Sequence, residues 1–197
     1  MKIRILSWNV RGANGNDKRR VIKSVIKSNK ADVDCLQETK IKEMGTGLVR
    51  SLGVGRHLDW RTVNSRGVVG GILVFWDNRL VDEEEGEFSI SCRFKNCVDG
   101  LMWVFTSVYG AVCNKDREDF WGELRSIKGL WSDPWCVCMC VCVCGGGGGG
   151  GGGDFNMVRY PEERSREGGL SASMRRFSEV VEDLELRDFP LQGGPFT

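Results

Sequence analysis

The sequence predicts one α/β domain in which two packed β-sheets are flanked by helices. Three observations point there. Short runs with strand-like alternation, or continuous apolar character, are interleaved with segments of helical periodicity. Of the 197 residues, 41% are hydrophobic and 28% charged, the balance of a globular chain rather than a disordered or collagen-like one. The length suits a single domain with a substantial core and is short for two. The longest apolar stretch, Trp135 to Cys144, has ten residues, against the roughly 18 to 20 that a membrane helix needs. The N-terminus, Met1 to Trp8, alternates and carries Lys2 and Arg4. It lacks the continuous apolar region of a signal peptide, so an intracellular chain is the default expectation.

Taken in order, Lys2 to Trp8 reads as a strand through Ile3 and Ile5, ending in the turn-forming segment Asn9 to Gly15. Asn16 or Asp17 is placed to cap a helix whose stripe is Val21, Ile22, Val25 and Ile26, with Lys and Arg on its other side. Val33 to Gln37 is a short second strand ending at Glu38-Thr39-Lys40. Gly70 to Trp76, Glu87 to Phe94 and Leu101 to Tyr109 read as further strands, the last almost wholly apolar as a core strand would be. Glu118 to Leu130 and Ser173 to Leu186 are amphipathic helices, with Phe120, Leu124 and Ile127 on one, and Phe177, Val180, Val181 and Leu184 on the other. Polar, chemically capable residues sit where strands stop: Asn9, Glu38, Tyr109, and Asp154 with Asn156. Strand ends opening on one rim gather a site from distant sequence.

Charge and cysteine are unevenly spread. The first 56 residues carry thirteen Lys and Arg against five Asp and Glu, while the remainder is net acidic. A basic N-terminal quarter can meet phosphates and an acidic remainder can hold a cation, although solvated helix faces account for much of such charge. Five of the nine cysteines alternate at Cys136, Cys138, Cys140, Cys142 and Cys144, and nine glycines follow at Gly145 to Gly153. Alternation places all five thiols on one face of any strand. The spacing is neither a disulfide framework nor a zinc knuckle. It reads as a low-complexity insertion without chemistry of its own, its glycines a flexible loop.

Five motifs occur in one order: Ser7-Trp8-Asn9-Val10-Arg11-Gly12, Gln37-Glu38-Thr39-Lys40, Val108-Tyr109-Gly110, Gly153-Asp154-Phe155-Asn156, and Gly193-Gly194-Pro195-Phe196-Thr197. Together they resemble the endonuclease/exonuclease/phosphatase family, which includes apurinic/apyrimidinic endonucleases, and most of all the endonuclease domain of plant LINE-type non-LTR retrotransposons. The resemblance implies a four-layered α/β sandwich of the DNase I-like kind, with its site at the rim of the two sheets. It implies Mg²⁺- or Mn²⁺-dependent hydrolysis of a phosphodiester in DNA, with a nuclear location if the chain acts so, and with no membrane and no obligate protein partner. Glu38 matches the family's metal-binding glutamate and Asn9 the asparagine beside it. Asp154 matches the aspartate that orients or deprotonates the attacking water, Asn156 the amide that holds it, and Tyr109 the tyrosine that donates to the phosphate. Lys40 supports Glu38 or contacts the backbone of the nucleic acid, and Arg11 is placed to touch phosphate.

The departures from the family pattern carry expectations too. Arg11 stands where the apurinic branch has an aspartate. Cys138 to Gly151 is an excess of 14 residues ahead of Asp154, which puts that residue's positional accuracy at risk. The family's C-terminal Ser-Asp-His motif does not occur before Thr197, so the expectation is a single domain over 1–197, incomplete at its C-terminus and impaired or inactive as it stands. The lone histidine, His57, reads as a surface or packing residue. Two alternatives stand beside this one. The first is a non-catalytic remnant with at most nonspecific nucleic-acid binding through Lys18, Arg19, Arg20, Lys23 and Lys27; the second is a phosphatase acting on phosphorylated lipids or inositols.

Overall fold

A computed structural model describes residues 3–53, 58–65, 70–77, 80–109, 116–140 and 172–187. In chain order the elements are β1 (Ile5–Asn9), α1 (Asn16–Asn29), β2 (Val33–Gln37), α2 (Thr46–Leu52), β3 (Leu58–Val63), β4 (Ile72–Asp77), β5 (Leu80–Glu85), β6 (Ser89–Lys95), β7 (Met102–Tyr109), α3 (Asp116–Leu130), β8 (Trp135–Cys140) and α4 (Ala172–Asp183). Two compact units contain them: Met1–Tyr109 with Trp131–Cys140, and Gly110–Leu130 with Val141–Thr197.

The first unit holds both sheets, ordered β1-β2-β4-β3 and β5-β6-β7-β8. Each sheet has one parallel pair, β1 with β2 and β7 with β8, and is otherwise antiparallel. A parallel pair needs a crossover long enough to return the chain to its starting end, and helices α1 and α3 stand in those connections. Strand alternation then divides the core in two. On one face of the first sheet Leu36, Leu73 and Phe75 pack with Ile22 and Ile26 of α1 and Val49 and Leu52 of α2. On the other face Val33, Cys35, Ile72, Val74 and Trp76 meet Ile90, Cys92, Phe94, Trp103 and Phe105 of the second sheet. Trp76 stands edge-on to Phe94 at 5.8 Å, and Phe94 stacks on Trp103 at 4.9 Å, aromatic arrangements that add to area burial. This is the expected α/β sandwich of two sheets with helices. In the second unit α3 and α4 pack through Trp121 on Phe177 at 6.0 Å, with Arg125–Asp183 and Arg176–Glu118 ion pairs at 3.2 Å.

The element bounds differ from the sequence expectations in instructive places. β1 runs to Asn9, which pairs with Gln37, so Asn9 is the last residue of the strand and not the first of the turn. Neither Asn16 nor Asp17 caps α1: Gly15 takes the cap position with extended backbone, and no side chain bonds there. Asn16 Oδ1 instead accepts from Arg19, and Asp17 sits in the first turn, where negative charge suits the helix dipole. Besides β8, for which the sequence set no range, three elements had no expectation. α2 is too short for periodicity to declare it, and β3 and β5 are polar edge strands, β5 reading Leu-Val-Asp-Glu-Glu-Glu with a bulge; edges tolerate charge that interior strands do not. The first residues of the Cys-Val run, through Cys140, are paired in β8; the following glycines and His57 lie outside the described residues.

Asp34 breaks the pattern of the helix-side core. It lies in the fully buried β2 between Leu6 and Phe75, and its Oδ1 has no partner among the described residues. Burial pushes its carboxyl up from an ordinary 3.8 to about 7, because the charged form is poorly solvated there. The folded chain therefore keeps a proton that the unfolded chain has already released. The contribution of this group to stability is full below about pH 4, falls as the pH rises towards 7, and then levels, a loss on the order of 4 kcal/mol. Urea midpoints from pH 4 to 8 are expected to show Asp34→Asn gaining on the wild type as the pH rises; a difference that does not vary with pH would contradict this assignment.

Candidate active site at the ends of strands β1 and β2

Where β1 and β2 stop, the chain keeps pairing although the strands have ended. Val10 N–H donates to Gln37 O at 3.0 Å, Gly12 N–H to Glu38 O at 2.6 Å and Ala13 N–H to Thr39 O at 2.8 Å. On the other side Thr39 N–H donates to Gly71 O at 3.1 Å and Lys40 N–H to Gly70 O at 2.9 Å. Three segments are thus laced together through the backbone of 38–40. The lacing demands backbone shapes that L-residues avoid. Arg11, Glu38 and Lys40 have φ of 48°, 57° and 56°, and Gly12, Gly70 and Gly71 have 103°, 85° and 89°.

Among the described residues only two other non-glycines, Lys30 and Glu185, have positive φ. Both follow helices, where a left-handed residue is an ordinary stop. The remaining three have no such excuse, and each costs of order 1 kcal/mol or more that the surroundings must over-determine. All three were singled out from the sequence as candidate site residues.

Side chains brace the same rim. Asn9 Oδ1 accepts from Arg11 N–H at 3.0 Å, an Asx turn that sets the rotamer of the amide. Lys18 Nζ donates to Arg11 O at 2.8 Å, Arg19 Nη1 to Asn14 O at 2.7 Å and Ala13 O at 3.1 Å, and Asn14 Nδ2 to Lys40 O at 3.0 Å. Two of the basic residues of α1 therefore hold the β1–α1 loop. Glu38 is 6% exposed and Thr39 fully buried, Asn9 and Lys40 are half-buried, and Arg11 is exposed.

Gln37 fastens this rim to the second sheet. It is buried, and its Nε2 donates to Ser107 Oγ at 3.3 Å, Cys138 O at 3.4 Å and Val108 O at 3.5 Å. Val108 is the residue before Tyr109, so the end of β7 lies beside the end of β2. The structure thus brings the Asn9, Arg11, Glu38 and Lys40 segments together, with Val108, the residue before Tyr109, tied to Gln37; Asp154 and Asn156 lie outside the described residues. Sequence reasoning missed Gln37, Thr39 and Gly71 as parts of the site. A glutamine closing a short buried strand, and a Gly-Gly pair opening another, were the available signals.

The donor set bears on a metal. Among the described residues no three His, Cys, Asp or Glu side chains cluster. Mg²⁺ does not require such a cage: it keeps several waters and binds through one or two carboxylates plus substrate phosphate. The Glu38 carboxylate and the Asn9 amide at neighbouring strand ends are hard oxygen donors that fit this mode.

No protein-family model matches the sequence, and no curated protein does. Solved structures do match in fold. The 3′ phosphatase NExo from Neisseria, bound to product DNA hairpin, aligns at 15% identity with a TM-score of 0.60, over 93% of this chain and 71% of its own. The endonuclease domain of TRAS1, a telomere-specific non-LTR retrotransposon, aligns at 11% identity and 0.60 over the same shares. The AP endonuclease LMAP from Leishmania major aligns at 17% identity and 0.52, over 71% of this chain and 55% of its own, so the chain spans little more than half of that enzyme. The fold is the DNase I-like fold of endonuclease/exonuclease/phosphatase proteins, a retrotransposon endonuclease among them.

Gly71 tests the lacing. A Cβ there would sit 2.4 Å from Thr39 Oγ1, on a backbone with φ of 89°. Gly71→Ala is expected to lower the stability read from urea unfolding by roughly 2 to 3 kcal/mol, whereas Gly47→Ala, with open space around it, should cost nothing. Equal stability of the two variants would show the rim is not held as described.

Proposed function

We propose that the chain is a Mg²⁺- or Mn²⁺-dependent phosphodiesterase of the DNA-endonuclease type, from a LINE-type element. The observation that carries the reading is the strain at the rim: among the described residues, Arg11, Glu38 and Lys40 are the non-glycine residues held left-handed without a helix end to explain them, and such strain persists where function requires a geometry. The fold shared with the DNA-bound phosphatase and the retrotransposon endonuclease supports a nucleic-acid phosphoester over a lipid or inositol phosphate.

In this proposal Glu38 and Asn9 hold the ion. Bound there, it neutralises phosphate charge and polarises the phosphoryl oxygen. Burial of Glu38 and the Asx turn at Asn9 set both donors in advance, so little ordering is left for the moment of binding. Exposed Arg11 contacts phosphate through its planar fork, and Lys40 adds a second positive charge. Tyr109 donates to the phosphate, Asp154 orients the attacking water and takes its proton, and Asn156 holds Asp154. The Cys-Val and poly-Gly run at about 138–151 is an insertion ahead of Asp154 within one domain, and the activity of this chain is accordingly weak.

Two measurements on wild type and Glu38→Gln test the proposal: Mg²⁺ affinity by calorimetry, and nicking of supercoiled plasmid with and without EDTA. The wild type is expected to bind Mg²⁺ at least tenfold more tightly, and any nicking to need the ion and to fall about 10²-fold or more in the variant. Equal Mg²⁺ affinities, or nicking that survives EDTA or the substitution, would overturn it. DNA binding that weakens with salt and ignores Mg²⁺ and Glu38 alike would mark a non-catalytic remnant.

A further inference from the structure

Below the Asn9–Gln37 rung the inter-sheet seam turns from apolar to polar and sulfur-bearing. On the first sheet Ser7 pairs with Cys35, and on the second Ser107 pairs with Cys138. The two rungs meet face to face: Ser7 Oγ lies 2.7 Å from Cys138 Sγ, and Cys35 Sγ donates to Ser107 Oγ at 3.0 Å. Gln37 Nε2 stands 3.7 Å from Cys138 Sγ as well. Two hydroxyls and two thiols therefore form a square that bridges the sheets, with the sulfurs on its diagonal.

The two thiols differ in access and in chemistry. Cys35 is fully buried, in the second strand of its sheet. Cys138 is partly exposed, on β8, the edge strand. Hydrogen bonding with Cys35 first, and with Ser7 and Gln37 after it, holds the Cys138 thiol below its ordinary range in spite of burial. Burial pushes its neighbours the other way, Cys92 up to about 12 and Cys136 upward. Thiolate character with access is what makes a cysteine reactive, and a second thiol beside it is what makes oxidation reversible.

We propose that Cys35 and Cys138 are a redox-active pair that hydrogen peroxide converts to a disulfide joining the two sheets directly beneath the rim. The Cys138 thiolate attacks peroxide; an S–O bond forms, the O–O bond breaks, and the departing hydroxide takes up the proton that Cys138 released, giving water. Cys35 sulfur then attacks the Cys138 sulfenic acid; the S–S bond forms, the S–O bond breaks, and the oxygen leaves as a second water with the Cys35 proton. Two thiols lose two electrons and one peroxide becomes two waters. The Cys-Val alternation, without evident purpose as sequence, places Cys138 on the inward face of β8 where this becomes available. The pair stands independently of the nuclease proposal.

Non-reducing peptide mapping of the native full chain after stoichiometric peroxide tests it. The expected product links the tryptic peptide Ala31–Lys40 to the one beginning at Gly129, reverts with dithiothreitol, persists in Cys136→Ser and disappears in Cys138→Ser. In Cys35→Ser the expected product is a Cys138 sulfenic acid that dimedone captures. To read the bridging position without ambiguity, the map is repeated on a chain in which Cys140, Cys142 and Cys144 are all replaced by serine. Oxidation of native chain that leaves Cys35 a free thiol, or a link from Cys35 that survives Cys138→Ser, overturns the proposal.

Discussion

The site depends on one constraint: the backbone of residues 38–40 must satisfy hydrogen bonds on both sides after its strand has ended. An unpaired buried peptide group costs more than a strained dihedral, so Glu38 and Lys40 accept left-handed conformations in order that the backbone of 38–40 can pair with Gly12 and Ala13 on one side and Gly70 and Gly71 on the other. The strain turns an alternating strand into a rim. It presents an acidic and a basic side chain two residues apart from a segment that cannot relax, because three chain segments share its hydrogen bonds. Glycine at 71 is part of the same bargain with sterics, since Thr39 Oγ1 fills the place a Cβ would take.

The seam between the sheets has two chemistries. Its middle is aromatic and aliphatic, with Trp76, Phe94, Trp103 and Phe105, and supplies cohesion without direction. Towards the rim it becomes directional, through Gln37, Ser7, Ser107 and the two thiols. Polar contacts inside a low-dielectric seam are costly unless matched, and when matched they set registry. Gln37 uses this to place the end of β7 beside the end of β2. A layer that only repelled water would leave the two sheets freer to slide, and the rim residues of one sheet would lose their relation to those of the other.

Much of the fold was legible in the sequence. Val33–Gln37 matched residue for residue, and β4, β6, β7, α1, α3 and α4 were found within a few residues of their observed ends, because each is long or apolar enough for its period to show. The polar edges β3 and β5 and the one-turn-and-more helix α2 were not, since edge position and tertiary burial, not local pattern, make them what they are. Asn9, Arg11, Glu38 and Lys40 could be named from motif order. What braces them could not: Lys18 and Arg19 looked like a solvated helix face and proved to hold the β1–α1 loop.

By itself the sequence determined which stretches alternate, which are helical, that two sheets would face one another, and that Asn9, Glu38 and Tyr109 would stand at strand ends. These follow from short-range sterics and from the period at which apolar side chains recur. The tertiary structure alone decided that Glu38 and Lys40 are left-handed, that Gln37 points its amide at the second sheet, and that Cys35 and Cys138 stand on the diagonal of one square. Each of those depends on pairing between segments tens of residues apart, where register, and no property of either segment alone, sets which atoms meet.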